Sequence, residues 1–231
     1  RDTGARRRLT YWRMVPFARM LERAGRGHRR DGAPAGGTGV AVYLLRYRYR
    51  GWNGTAMDAF RDASWAVGEV TRRHPGRPVA LLGHSMGGRA VLRAAGEGSV
   101  FPTPPASPAA VPRVVAVCAL APWLEGDPVE QLAGRSVLIA HGDRERMTDP
   151  AASFDYAVRA RRVTDRVARF DVHGDGHAML RRPTDWSSLV RRFVLGELGV
   201  EPLDRCITKA MQEPAPGGLR TALPALTGAT R

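Results

Sequence analysis

The stretch Val79-Ala80-Leu81-Leu82-Gly83-His84-Ser85-Met86-Gly87-Gly88-Arg89-Ala90-Val91-Leu92 decides the architecture of this 231-residue chain. An apolar run of strand length is broken by a glycine-flanked serine, and apolar residues at helical spacing then continue to about Ala95. A strand that passes directly into a helix needs a sharp turn. Gly83 and Gly87, two residues either side of Ser85, remove side chains that would collide there. The serine is then held in a strained conformation with its hydroxyl exposed, and the Met86 N–H opens the helix. In this context Gly83-x-Ser85-x-Gly87 reads as a nucleophile elbow, with Met86 N–H placed to donate to a developing oxyanion. The plainer reading is a glycine-rich turn with a capping serine.

Working outward, Val114–Leu120 and residues 137–140 are further short apolar runs of buried-strand composition, residues 40–47 (VAVYLLRY) are expected to be another, and Val167–Val172, whose apolar residues alternate with Arg169 and Asp171, reads as the last strand. Between them, helical spacing marks residues 9–24, 56–74, 150–162 and 186–198, with a short helix at 129–133. Asp149-Pro150 supplies an N-cap acceptor followed by a proline whose missing N–H costs nothing at the first helical position. Strands alternating with helices at this spacing predict an α/β fold, a mostly parallel sheet with helices on both faces. Residues 50–54 carry turn chemistry. Five prolines and no periodicity make residues 96–112 a surface loop. Residues 1–199 are expected to form the domain, and residues 200–231, rich in Pro, Gly, Thr and Ala, a disordered tail.

Composition narrows the function. With 43% hydrophobic and 25% charged residues the chain can build a core, and its longest apolar runs are too short to span a membrane. The net charge of +14 comes almost wholly from arginines dispersed along the chain, Lys209 being the one lysine, so it reads as compositional bias and not as a nucleic-acid stripe. Two cysteines, Cys118 and Cys206, make no disulfide framework, and residues 1–8 lead into an amphipathic segment instead of an apolar signal core. A cytoplasmic location follows as the expectation. No metal-ligand spacing, P-loop or dinucleotide fingerprint is present, so no cofactor is implied; the expected partner is a small-molecule substrate.

The elbow and the alternating architecture resemble the α/β-hydrolase fold superfamily, over residues 9–198. The resemblance implies a serine, acid, histidine triad in that chain order, the acid after one late strand and the histidine after the last. His28, His74, His84 and His141 then come too early, leaving His173 or His177. His177 stands in the glycine-rich turn Gly174-Asp175-Gly176-His177, whereas His173 still belongs to the strand. In the family the acid usually stands three residues after the glycine that closes its strand. Here that is Glu145, in His141-Gly142-Asp143-Arg144-Glu145. Asp143 is the rival, with Glu125 and Asp127 further alternatives, and Asp149 is explained as a helix cap. The family also places a second oxyanion donor in a turn after an early strand, and a first helix beginning by Leu9 leaves no room for that strand. The resemblance therefore implies a hydrolase lacking its first strands, with a minimal cap and an open pocket near Trp123 and Leu124. It implies cleavage of an ester, thioester or amide through an acyl-enzyme, by Ser85, His177 and an acid. The competing reading is a catalytically inactive hydrolase scaffold that binds an acidic partner.

Overall fold

The computed structural model describes residues 7–27, 39–96 and 114–224. Five parallel strands form one sheet in sequential order: β1 (Val79–His84), β2 (Val114–Leu120), β3 (Ser136–Gly142), β4 (Val167–Val172) and β5 (Thr221–Ala222). The period of two along each strand sorts side chains between two cores. Cys118, Leu120, Leu138, Ala140, Phe170 and Val172 face one side, where Phe17 and Leu21 of α1 (Arg7–Gly27) and Trp186, Leu189 and Phe193 of a later helix cover them. Val117, Ala119, Val137, Ile139 and Val167 face the other, against Val91 and Leu92 of the elbow helix and Tyr156 and Ala157 of the helix after Asp149. Helices on both faces are what continuous apolar strands require.

In chain order those helices are α2 (Asp58–Arg73), α3 (Met86–Ala94), α4 (Pro150–Ala160), α5 (Pro183–Glu197) and α6 (Arg205–Gln212). Pro16 lies inside α1 at an exposed position. Asp149 caps α4 by accepting from Ala151 N–H at 2.8 Å, with Pro150 at the first helical position. The short helix expected at 129–133 is a single 3-10 turn, Glu130–Leu132.

Two expectations are corrected. Residues 40–47 do not join the sheet: among the described residues β1 pairs with β2 alone, and the segment forms no strand, its exposed and half-buried side chains largely alternating. Val40 and Val42 pack against one core while Leu45 and Tyr47 pack on the Trp52 cluster, so the apolar composition serves contact without a hydrogen-bonded ladder. The supposed disordered tail is also folded as far as residue 224. Asp204 caps α6 through Cys206 and Ile207 N–H, Ile207 and Ala210 are buried, and the chain returns to place β5 beside β4. Residues 225–231, the loop expected at 97–112 and residues 1–6 lie outside the described residues.

Candidate active site

Ser85 sits between β1 and α3 with φ 57° and ψ −122°, a conformation L residues avoid. Its backbone is over-determined: Ser85 N–H donates to Leu120 O at 2.9 Å, and Ser85 O accepts from Arg89 N–H at 3.1 Å and Trp123 N–H at 3.2 Å. Gly83 is required by close approach, since a Cβ there would lie 2.2 Å from Gly87 O. Gly87 leaves room for the Tyr47 hydroxyl, which lies 3.3 Å from where its Cβ would stand. Burial, reinforced by the Asp62 charge, pushes the Tyr47 phenol up to about 12, so it stays protonated. Met86 N–H, at the first position of α3, has no intrahelical acceptor and points from the helix N-terminus.

On the far side of the sheet's carboxyl edge, the turn after β3 and the turn after β4 are knitted together. Arg144 N–H donates to Asp175 O at 2.9 Å, and a Cβ on Gly142 would fall 2.3 Å from that same carbonyl oxygen. Gly176 is likewise pressed on Arg144 O, 2.8 Å from where its Cβ would stand. Asp175, 2% exposed, anchors the histidine turn to α5 by accepting from Arg182 N–H at 2.9 Å and from the Trp186 indole at 3.0 Å.

Within this frame Glu145 Oε2 lies 2.9 Å from His177 Nδ1. The other oxygen, Oε1, accepts from Arg146 N–H at 2.8 Å and Met147 N–H at 2.7 Å. Burial works against ionisation of this carboxyl, but the Met147 N–H, the His177 ring and the Arg146 N–H outweigh it and hold Glu145 below the usual carboxylate range. The rival Asp143 is turned outward: it accepts from Gly174 N–H at 2.7 Å and pairs with His173 Nδ1 at 3.1 Å, so it braces the turn from its exposed side. Glu125 and Asp127 belong to another cluster, around Arg89. No hydrogen bond joins the Ser85 hydroxyl to His177 among the described residues. His84, the residue before Ser85 in the chain, has its ring centroid 4.6 Å from that of His177.

Two histidines that chain order sets aside as bases are thus in the site's immediate surroundings. His141, fully buried, sits 3.8 Å from Glu145 Oε2, with Thr148 and Ser153 hydroxyls on its two ring nitrogens. Burial, with Arg169 nearby, lowers its pKa to about 4 and keeps it neutral. Nothing in the local sequence marks these contacts, although the run from His141 to Glu145 places the pair four residues apart. Trp123, expected near the pocket, packs with Trp52 on Arg89, whose guanidinium carbon lies 4.8 Å and 4.2 Å from the Trp123 and Trp52 ring centroids. Leu124 is buried in a core. The turn at residues 51–54 is structural, with Asn53 in the left-handed region and bonded to Asp58. Among the described residues no group of three His, Cys, Asp or Glu could hold a metal ion, and no helix is long and apolar enough to cross a membrane.

The model of the alpha/beta hydrolase family matches residues 8–228. The chain belongs to that family. Among solved structures, a monoacylglycerol lipase from Paleococcus ferrophilus is similar at 13% identity, covering 81% of this chain and 90% of that one with a TM-score of 0.53. A putative alpha/beta hydrolase of unknown function from Agrobacterium tumefaciens is similar at 15% identity, over 69% and 71% of the two chains, TM-score 0.52. A predicted hydrolase from Thermoplasma acidophilum shares 17% identity over 58% of this chain, TM-score 0.44, and this chain spans 59% of its length. At these identities the likeness is one of fold. No curated protein matches the chain.

Proposed function

We propose that this hydrolase cleaves a carboxylic ester, thioester or amide of a small molecule through an acyl-enzyme on Ser85. The observation that carries the reading is the 2.9 Å contact between Glu145 and His177 at the same sheet edge as the strained Ser85. In the proposed cycle Ser85 Oγ attacks the substrate carbonyl carbon while its proton passes to His177 Nε2. Glu145 accepts from His177 Nδ1–H, which selects the tautomer with a free Nε2 and stabilises the imidazolium that forms. The Met86 N–H donates to the oxyanion, aided by the N-terminus of α3. Collapse of the tetrahedral adduct expels the alcohol, thiol or amine, which takes the proton from His177, and water then repeats the sequence to release the acid.

Charge separation at the site favours this assignment. The acid is buried and held ionised by backbone N–H groups, whereas Asp143 is spent on an exposed turn. A fluorophosphonate probe, followed by mapping of the labelled residue, tests the reading. Labelling at Ser85 that is lost in Ser85→Ala, together with turnover of short-chain p-nitrophenyl esters or a monoacylglycerol, is the expected result. The monoacylglycerol is included because of the fold likeness to the Paleococcus ferrophilus lipase. A folded chain that neither labels nor turns over any ester would instead be an inactive hydrolase-fold binding protein.

A further inference from the structure

His84 occupies the position between Gly83 and Ser85, where its side chain leaves the strand on the opposite side from its neighbours. It is 5% exposed. Its Nε2 lies 2.9 Å from the backbone oxygen of His177, ninety-three residues later, and the two imidazoles pack at 4.6 Å with 49° between their planes. A carbonyl oxygen can only accept, so Nε2 carries the hydrogen and Nδ1 the lone pair. That Nδ1 is buried and has no hydrogen-bond partner among the described residues. A buried polar atom without a partner is costly, and an ordinary core position would be filled more cheaply by leucine.

We infer that His84 is a positioning residue, which holds the His177 main chain with Nε2–H and the His177 ring with its own ring, so fixing the imidazole at the sheet edge that carries Ser85. The inference rests on the Ser85–His177–Glu145 reading and adds a fourth member to it. The covalent neighbour of the nucleophile thereby sets the place of the base, so one short stretch of β1 fixes both. Glu145 alone leaves His177 free to swing about the Nδ1 contact; a second hold on the backbone and on the ring face removes that freedom, and small displacements of reacting groups are expensive in rate. Burial, then the nearby His177 and Arg13, lowers the His84 pKa to about 3, with only the His177 carbonyl and Glu145 acting the other way. His84 therefore stays uncharged and does not oppose the imidazolium forming beside it.

Two substitutions separate positioning from mere packing. His84→Gln can place an amide N–H near the Nε2 site, while His84→Leu fills the volume and removes the donor. In His84→Leu, kcat on a p-nitrophenyl ester should fall on the order of 10- to 100-fold with KM little changed, and His84→Gln should recover most of it. The Nδ1–H bonded to Glu145 should give His177 a downfield ring N–H resonance, expected to broaden in His84→Leu and to persist in His84→Gln. Wild-type kcat in His84→Leu, equal losses in the two variants, or an unchanged His177 resonance in His84→Leu would overturn the inference. The resonance is read without substrate, so it decides the positioning role even if the wild-type chain fails to label with fluorophosphonate, a failure that would strike the hydrolase reading itself.

Discussion

The Glu145 carboxylate divides its two oxygens between two tasks: Oε2 faces His177 Nδ1 at 2.9 Å, and Oε1 ties down the N–H groups of Arg146 and Met147 at 2.8 and 2.7 Å. The longer side chain of glutamate is what permits both. It folds back over its own turn and still reaches the turn after β4, a span that Asp143, two residues earlier and facing outward, does not make.

Glu145→Gln keeps the shape but loses the charge, and the amide can present a donor toward Nδ1 and select the wrong tautomer. On the proposed reading, ester turnover should fall by about 10⁴, the cost of the comparable amide substitution in a serine protease triad. Asp143→Asn should cost far less, because the amide oxygen can still accept from Gly174 N–H. Side-by-side kcat/KM measurements on one ester decide the point; the reverse ranking would give the role to Asp143.

The elbow predicts a steric failure. Gly83→Ala would put a methyl group 2.2 Å from Gly87 O, a backbone atom fixed in the first turn of α3. Neither β1 nor α3 can withdraw without breaking the bonds that hold Ser85. The substitution should destabilise the protein by at least about 3 kcal/mol, the upper part of the range for overpacking, and abolish labelling of Ser85. Urea unfolding and fluorophosphonate labelling of the same sample report the two effects.

Why some of this was legible in the sequence and some was not follows from what each signal depends on. β2 is a contiguous apolar run and β4 alternates apolar residues with Arg169 and Asp171, and the ends of both coincide with those read from sequence; the elbow is a local steric requirement written in Gly83, Ser85 and Gly87. Residues 40–47 have a composition like that of β2, but a strand is defined by a partner, and composition does not supply one. In the segment after residue 200, Ile207, Ala210 and Met211 form a buried helical stripe, yet Pro and Gly on either side mask it; the Asp204 cap was the available signal. His84, His141 and Asp175 act on partners brought near only by the sheet. His84 meets the His177 carbonyl across ninety-three residues, and chain order excludes it as a base without showing what else it does.

A second relationship concerns stability and acid. His84 and His141 are neutral in the fold, at about 3 and about 4, against an ordinary value of 6.5. Groups facing His141 are Arg169 and His177, which lower its value, and Glu145 and Asp149, which raise it; His177 and Arg13 lower His84. Because the unfolded chain binds protons that the folded one refuses, stability is fully present above about pH 6.5 and declines as pH falls toward 4. With two such histidines the slope should approach about 3 kcal/mol per pH unit near pH 5. Urea midpoints at pH 7, 6 and 5 measure it, and His141→Gln should roughly halve the slope. A flat profile over that range would show that these rings are protonated in the folded state.

The last prediction concerns the arginine beneath the elbow. Arg89, 7% exposed, lies against both the Trp52 and Trp123 rings, at 4.2 and 4.8 Å, and donates through Nε to Asp127 Oδ1 at 2.9 Å. Asp127 is itself 3% exposed, accepts from Arg93 at 3.1 Å, and uses Oδ2 to accept from Glu125 N–H at 3.0 Å. The pair therefore joins α3, the turn at Trp52 and the loop after β2, whose Trp123 N–H in turn holds Ser85 O. Removing the cation leaves a buried carboxylate with Arg93 as its remaining arginine, so the loss should stay at or below the lower end of the roughly 3–5 kcal/mol typical of a buried charge left with no partner. Arg89→Met should incur that cost in urea unfolding, and Arg89→Lys should recover little of it, since an ammonium cannot stack flat against two indoles while bonding in the guanidinium plane. If Arg89→Lys matched the wild type, the tryptophan contacts would be incidental and the charge alone would hold the loop.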